Sequence, residues 1–172
     1  MRSRHKTQIF LSLGSNIGNR RGHIQDAITL VQDYILDIRF SSMYETLPLY
    51  MPDQPRFLNL VITGMTYLSC TDLLDHVLES EAECGRERNR NLPPKGPRVI
   101  DIDILLYDNV IWNDERLTLP HPGITERQFV LIPLLELEPE LSDPLTGRKY
   151  SEFLKDLDDQ GVFYYDALSH QN

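Results

Sequence analysis

The sequence predicts an α+β fold of the ferredoxin-like, split-βαβ arrangement: a mainly antiparallel sheet with helices packed on one face. Two observations lead there. Strand and helix patterns alternate along the chain in the order β-α-β-β-α-β. Residues 99–107 read V-I-D-I-D-I-L-L-Y, with Ile100, Ile102, Ile104 and Leu106 on one strand face and Asp101 and Asp103 on the other. Such a strand suits a sheet covered by helices on one side and free on the other.

Each element has its own signature. Residues 8–13 form a strand pattern with Ile9, Leu11 and Leu13 on one face, followed by the turn-forming run Gly14-Ser15-Asn16-Ile17-Gly18-Asn19. A helix is expected over residues 20–36, its stripe made by Ile24, Ala27, Ile28, Val31 and Ile35. A second strand is expected near residues 38–44. Residues 47–55 carry Pro48, Pro52 and Pro55 and read as a loop. Residues 57–67 are the longest strand candidate. Ser69 or Thr71 can cap a second helix that reaches Cys84, with Gly85 as its stop. Leu74, Val77, Leu78 and Glu81 share one stripe of that helix, so Glu81 either faces the core and needs a partner or reaches solvent from a frayed last turn.

After the acidic strand, Asp108-Asn109 predicts a tight hairpin turn into residues 110–112, and residues 117–119 a further short strand. Thr125-Glu126-Arg127-Gln128 is a capping-box pattern opening a helix that Pro133 must interrupt or restart. A turn-rich break spans residues 142–147, a last helix residues 150–157, and the final residues read as frayed. At 172 residues the chain is expected to be one domain, with a C-terminal extension from about residue 140.

Composition limits the partners. Asp and Glu number 26 against 17 Lys and Arg, a net charge of −9, which argues against nucleic acids and anionic membranes. The basic start M-R-S-R-H-K runs straight into a strand pattern without the apolar segment of a signal peptide. No apolar run approaches transmembrane length. Cys70 and Cys84 lack a C-x-x-C spacing, as expected of buried thiols in a cytoplasmic protein.

Asp101 and Asp103 stand on one strand face with Cβ atoms about 7 Å apart. A solvated sheet face is one reading of that pair, and a divalent cation on hard oxygen ligands is the other. Arg86, Arg88, Arg90, Lys95 and Arg98 crowd the preceding stretch of an otherwise acidic chain. A basic loop leading into paired carboxylates suits a Mg²⁺–polyphosphate ligand, because guanidinium forks bind phosphate bidentately. A P-loop is absent, since no G-x-x-x-x-G-K-[ST] occurs. A sugar-nucleotide transferase would need a larger doubly wound fold. A non-catalytic ligand-binding module has no need of two metal carboxylates.

Several segments resemble one family, the 6-hydroxymethyl-7,8-dihydropterin pyrophosphokinases of folate biosynthesis. They are Leu13-Gly14-Ser15-Asn16, Asp53-Gln54-Pro55 with Phe57-Leu58-Asn59, Gly96-Pro97-Arg98-Val99-Ile100-Asp101-Ile102-Asp103, Pro120-His121-Pro122, and Arg127-Gln128-Phe129-Val130-Leu131-Ile132-Pro133-Leu134. The block ending at Asp103 and the block from His121 to Pro133 are specific together. The resemblance implies transfer of pyrophosphate from ATP to the pterin hydroxymethyl oxygen, with AMP leaving. It implies two Mg²⁺ ions on Asp101 and Asp103, and Arg86 and Arg98 as catalytic phosphate-contacting arginines. ATP contacts would come from Arg86, Arg88, Arg98, Ile104, Arg116, Thr118, His121 and Arg127. The pterin would meet Thr46, Pro48, Leu49, Asn59 and the aromatic pair Phe57 and Phe129. Glu81 matches a position that supports the active-site loops. One departure is the long, double-proline loop 89–97, where Lys95 stands in place of the tryptophan of some members. A monomer acting on small molecules, with neither nucleic acid nor membrane as partner, is the expectation.

Overall fold

The computed structural model describes residues 5–49, 52–86 and 96–166. Its chain order is β1 (Thr7–Ser15), α1 (Arg20–Val31), β2 (Leu36–Phe40), β3 (Met43–Thr46), β4 (Phe57–Thr66), α2 (Cys70–Glu83) and β5 (Asp101–Tyr107). Then follow β6 (Trp112–Asn113), β7 (Thr118–Leu119), a 3₁₀ turn at Ile124–Glu126, α3 (Gln128–Leu137), α4 (Tyr150–Lys155) and β8 (Val162–Asp166). The main sheet is antiparallel in the order β5-β1-β4-β3-β8, with β2 also paired to β4. The fold class is the expected α+β, ferredoxin-like one.

One sheet face packs Ile9, Leu11 and Leu13 of β1 with Leu58, Leu60 and Ile62 of β4 and Ile102 and Ile104 of β5 against α1 and α2. The other face is divided. Phe10, Val61, Leu105 and Leu106 pack with Val130, Leu131 and Leu134 of α3 and with Tyr150 of α4. Toward the opposite end, the same strands present Ser12, Gly14, Asn59, Asp101 and Asp103. The second face is therefore free over only part of its length, because the helices beyond the βαββαβ unit cover the rest.

Several elements differ from the sequence expectation. Leu11 pairs with Ile104 and Phe10 with Leu106, which leaves Leu105 as an extra bulge residue. The bulge shifts the phase, so Leu106 turns to the α3 side and the greasy row ends at Ile104. Helix α1 stops at Val31, although Ile35 stays buried and keeps the helical period alive in the sequence. Asp37, at φ 54°, lies in the left-handed region within β2.

The strand expected at 38–44 is two strands on β4, separated where Ser41 Oγ accepts from the Val61 amide at 2.9 Å. Ser69 rather than Thr71 caps α2, accepting from the Asp72 amide at 3.1 Å. Gly85, at φ +86°, follows the helix end as expected. The Asp108 turn does not return β6 onto β5; Trp112 pairs instead with Leu119 of β7. Helix α3 starts at Gln128 and runs through Pro133, with Val130, Leu131 and Leu134 buried on both sides of it. The proline removes one backbone bond, which that packing offsets. Residues 162–166 form an edge strand on β3 that no sequence pattern signalled, while the final residues expected to fray lie outside the described residues.

Candidate active site

The two carboxylates come from β5, and the register of β1 supplies small neighbours: Gly14 opposite Asp101 and Ser12 opposite Asp103. On its other side Gly14 faces Asn59 of β4. A Cβ at Gly14 would stand 2.6 Å from Asn59 Oδ1, so glycine lets that buried amide lie against β1. Asn59 Nδ2 donates to Thr46 Oγ1 at 2.8 Å, which fixes the amide's orientation. These residues open into a cavity of about 320 Å³. Phe57, Phe129, Leu47 and Leu49 line it with apolar surface, and Arg86, Arg98 and Arg127 line it with charge.

Charge is tightly interlocked around Asp101. Arg86 Nη1 donates both to Glu81 and to Asp101 Oδ1, while Arg98 Nη1 donates to Asp101 Oδ2. Glu81, 1% exposed, also accepts from the Ile102 amide at 2.7 Å. The partner that a core-facing Glu81 demanded is therefore an arginine and a strand amide. Asp103 has no arginine in that interlock. Burial and the adjacent Asp101 push its carboxyl up to about 7, although 39% of its side-chain surface stays open.

His121 comes within 4.0 Å of Asp103 Oδ1 through Nε2. Burial and then Arg127 push its imidazole down to about 4, so the contact is no ion pair near neutrality. The Gly123 amide donates to Nδ1 at 3.0 Å, which leaves the ring proton on Nε2, facing the site. A Cβ on Gly123 would stand 2.6 Å from Arg127 Cζ, so this glycine also makes room for a guanidinium. A second cavity of about 480 Å³ lies beyond, walled by Leu74, Leu78, Ile104, Arg116 and Thr118. It shares Asp103 and His121 with the first.

The family model for 7,8-dihydro-6-hydroxymethylpterin-pyrophosphokinase matches residues 10–139. The chain belongs to this pyrophosphokinase family. It is 40% identical over 158 residues to the Methylorubrum extorquens 2-amino-4-hydroxy-6-hydroxymethyldihydropteridine pyrophosphokinase, covering 91% of this chain and 97% of that one. It is 41% identical over 166 residues to the fission yeast (Schizosaccharomyces pombe) folic acid synthesis protein fol1, covering 94% of this chain. The chain spans 22% of that protein's length and 27% of an Arabidopsis thaliana folate synthesis bifunctional protein. The fold likewise matches a solved Plasmodium falciparum HPPK-DHPS triple mutant, with a TM-score of 0.70 at 15% identity, covering 88% of this chain and 43% of that one.

Of the residues this pyrophosphokinase resemblance singled out, Asp101, Asp103, Arg86, Arg98, Arg127, His121, Thr46, Leu49, Phe57, Asn59 and Phe129 surround the first cavity. Ile104, Arg116 and Thr118 line the second, with Ile104 also in the core and Arg116 paired to Asp75 at the rim. Pro48 is half-buried beside Leu47 and Leu49 and is not among the residues lining either cavity. Arg88 and Lys95 lie outside the described residues.

Sequence reasoning passed over Asn16, Leu74 and Leu78. Asn16, 1% exposed, accepts from the Arg98 amide at 2.8 Å and donates to Gln54 Oε1 at 3.0 Å and to the Pro55 carbonyl at 3.2 Å. It joins the arginine segment to the proline loop. Its signal was the family-like Leu13-Gly14-Ser15-Asn16 segment, read as a motif without a role. Leu74 and Leu78 were read as core; Leu73 and Val77 fill it, Leu74 packs against its edge, and Leu74 and Leu78 also wall the second cavity. Among the described residues no group of three or more His, Cys, Asp or Glu is placed to hold a metal. Two carboxylates alone suit Mg²⁺, which keeps waters and takes its other ligands from phosphate. The Asp103 carboxyl is partly open and lies outside the arginine interlock on Asp101, so the residues fit the ion.

Proposed function

We propose that this chain transfers pyrophosphate from ATP to the hydroxymethyl oxygen of 6-hydroxymethyl-7,8-dihydropterin, releasing AMP, as a monomer in the cytoplasm. The observation that carries the proposal is the meeting of two cavities at Asp103 and His121. One is lined by aromatic rings and a fixed amide, the other by leucines, a threonine and an arginine. A flat heterocycle in the first and a nucleoside in the second would present hydroxyl and phosphates to each other at that junction.

The residues divide the work by chemistry. Phe57 and Phe129 offer ring faces to the pterin, and Asn59 offers its carbonyl to a ring N–H. Leu74, Leu78 and Ile104 offer apolar surface to adenine, with Thr118 and Arg116 beside them. Arg86, Arg98 and Arg127 hold polyphosphate oxygens in line with the hydroxyl, since this class of transfer depends on alignment and charge stabilisation. Neutral His121 donates its Nε2 proton to a phosphate oxygen. Asp101 and Asp103 would hold two Mg²⁺ ions. When bound, these supply charge neutralisation for the polyphosphate and polarise the attacking hydroxyl.

The test is to incubate the chain with Mg-ATP, with and without the hydroxymethyl dihydropterin, and identify the nucleotide formed. AMP formed only with pterin present supports the proposal. ADP, or no turnover, overturns it.

A further inference from the structure

We infer that Gln160 and Gly161 form a strap that sets the width of the aromatic cavity, with Gln160 a positioning residue for the pterin. The inference rests on the proposed function for the identity of that ligand. Helix α3 lacks a capping side chain at Arg127. Its first amide, of Gln128, donates instead to Gln160 Oε1 at 2.8 Å. Gln160 returns the bond through its own amide, which donates to Gln128 Oε1 at 2.9 Å, and its Nε2 donates to the Glu126 carbonyl at 2.9 Å. Three bonds thus pin residue 160 to the backbone turn that carries Arg127 and Phe129, both cavity residues.

The next residue grips the opposite wall. The Gly161 carbonyl accepts from the Leu47 amide at 3.3 Å. A Cβ on Gly161 would stand 2.7 Å from Leu47 Cδ1, and its φ of +70° is left-handed. Leu47 lines the cavity. Val162 then pairs with Thr46, whose hydroxyl holds Asn59. Two adjacent residues near the C-terminal end of the described chain therefore tie the Arg127–Phe129 wall to the Leu47 wall. Among the described residues no hydrogen bond joins the strap to Arg116, Thr118, Leu74 or Leu78 of the second cavity.

The test is steady-state kinetics on the full chain, with pterin binding followed by its own fluorescence. Gln160→Ala is expected to raise the pterin KM and Kd about tenfold, the size of one to two lost hydrogen bonds, with a smaller rise in the ATP KM transmitted through Arg127 and kcat within about twofold. Gln128→Glu, which keeps an acceptor for the Gln160 amide, should stay near wild type. Gly161→Ala should reproduce the pterin loss by pushing on Leu47, and it decides the matter if Gln160→Ala does not fold. Unchanged pterin KM and Kd, or a parallel loss in both substrates and kcat with a lowered Tm, would overturn the strap. Wild-type chain that binds pterin but makes no AMP sinks the proposed function while leaving the Kd comparison to judge the strap.

Discussion

The carbonyl of Leu105, the bulge residue of β5, accepts a hydrogen bond from the amide of His121 at 2.9 Å. The irregularity that turns Leu106 away from the α1 and α2 face thus also anchors the histidine shared by both cavities. With Nδ1 held by Gly123 and the ring pushed down to about 4, His121 presents a neutral donor throughout the physiological range. His121→Ala is expected to lower kcat/KM for ATP by about tenfold to a hundredfold, with pterin binding unchanged. Steady-state kinetics in both substrates checks it.

The His121 shift also has a stability consequence. A histidine depressed in the folded state binds fewer protons there than when unfolded, so stability falls as pH drops from about 6.5 toward 4. Removing the imidazole should flatten that fall. Denaturation midpoints of wild type and His121→Ala between pH 4 and 7 measure it.

Asp103 runs the other way. Its carboxyl, raised by burial and by Asp101, binds more protons folded than unfolded, so the metal-free protein loses stability as pH rises from about 4 to 7. Asp103→Asn should therefore stabilise the metal-free chain above pH 7 by about 1 kcal/mol, discounted for the open side chain, while abolishing turnover. Wild-type Mg²⁺ affinity should climb with pH to about 7 and level off above it. Thermal unfolding and metal titration across pH give both readings.

Gly14→Ala places a Cβ against Asn59 Oδ1. The amide must swing away from Thr46, and the pterin KM should rise at least about tenfold. The ATP KM should change little. A variant with unaltered pterin KM would remove Asn59 from the pterin site.

Asn16→Ala strips two donor contacts and one acceptor contact from a buried junction. It should cost about 2 kcal/mol in urea unfolding and lower kcat/KM for ATP about tenfold, because the Arg98 amide loses its acceptor and only the bond from the residue 16 amide to the Arg98 carbonyl remains.

Patterns with a clear period were readable in the chain. Ile9, Leu11 and Leu13 declared β1, and the α2 stripe left Glu81 between a partnered core position and a solvated end, which the structure resolves to the core. Motif blocks spread from Gly14 to Pro133 were enough to bring Asn59, Asp101, Asp103 and His121 into one reading. Local chemistry misled where tertiary contacts prevailed. Thr125 looked like a cap, but Gln160, 32 residues beyond Gln128, takes that amide. Ile35 kept the helical period after the helix had ended, because the following turn still buries it.

From its residues alone, then, the protein declared its fold class and the acidic strand through alternation, period and local turn chemistry. Most of the cavity residues were legible only through the family resemblance, and Leu74 and Leu78 of the second cavity were not. Tertiary structure alone decided that Leu105 bulges, that Asp101 is held by two arginines while Asp103 stands outside that interlock, and that β8 adds an edge strand beside the aromatic cavity. Pairing register and side-chain charge compensation join residues far apart in the chain, and no local pattern encodes the distance between them.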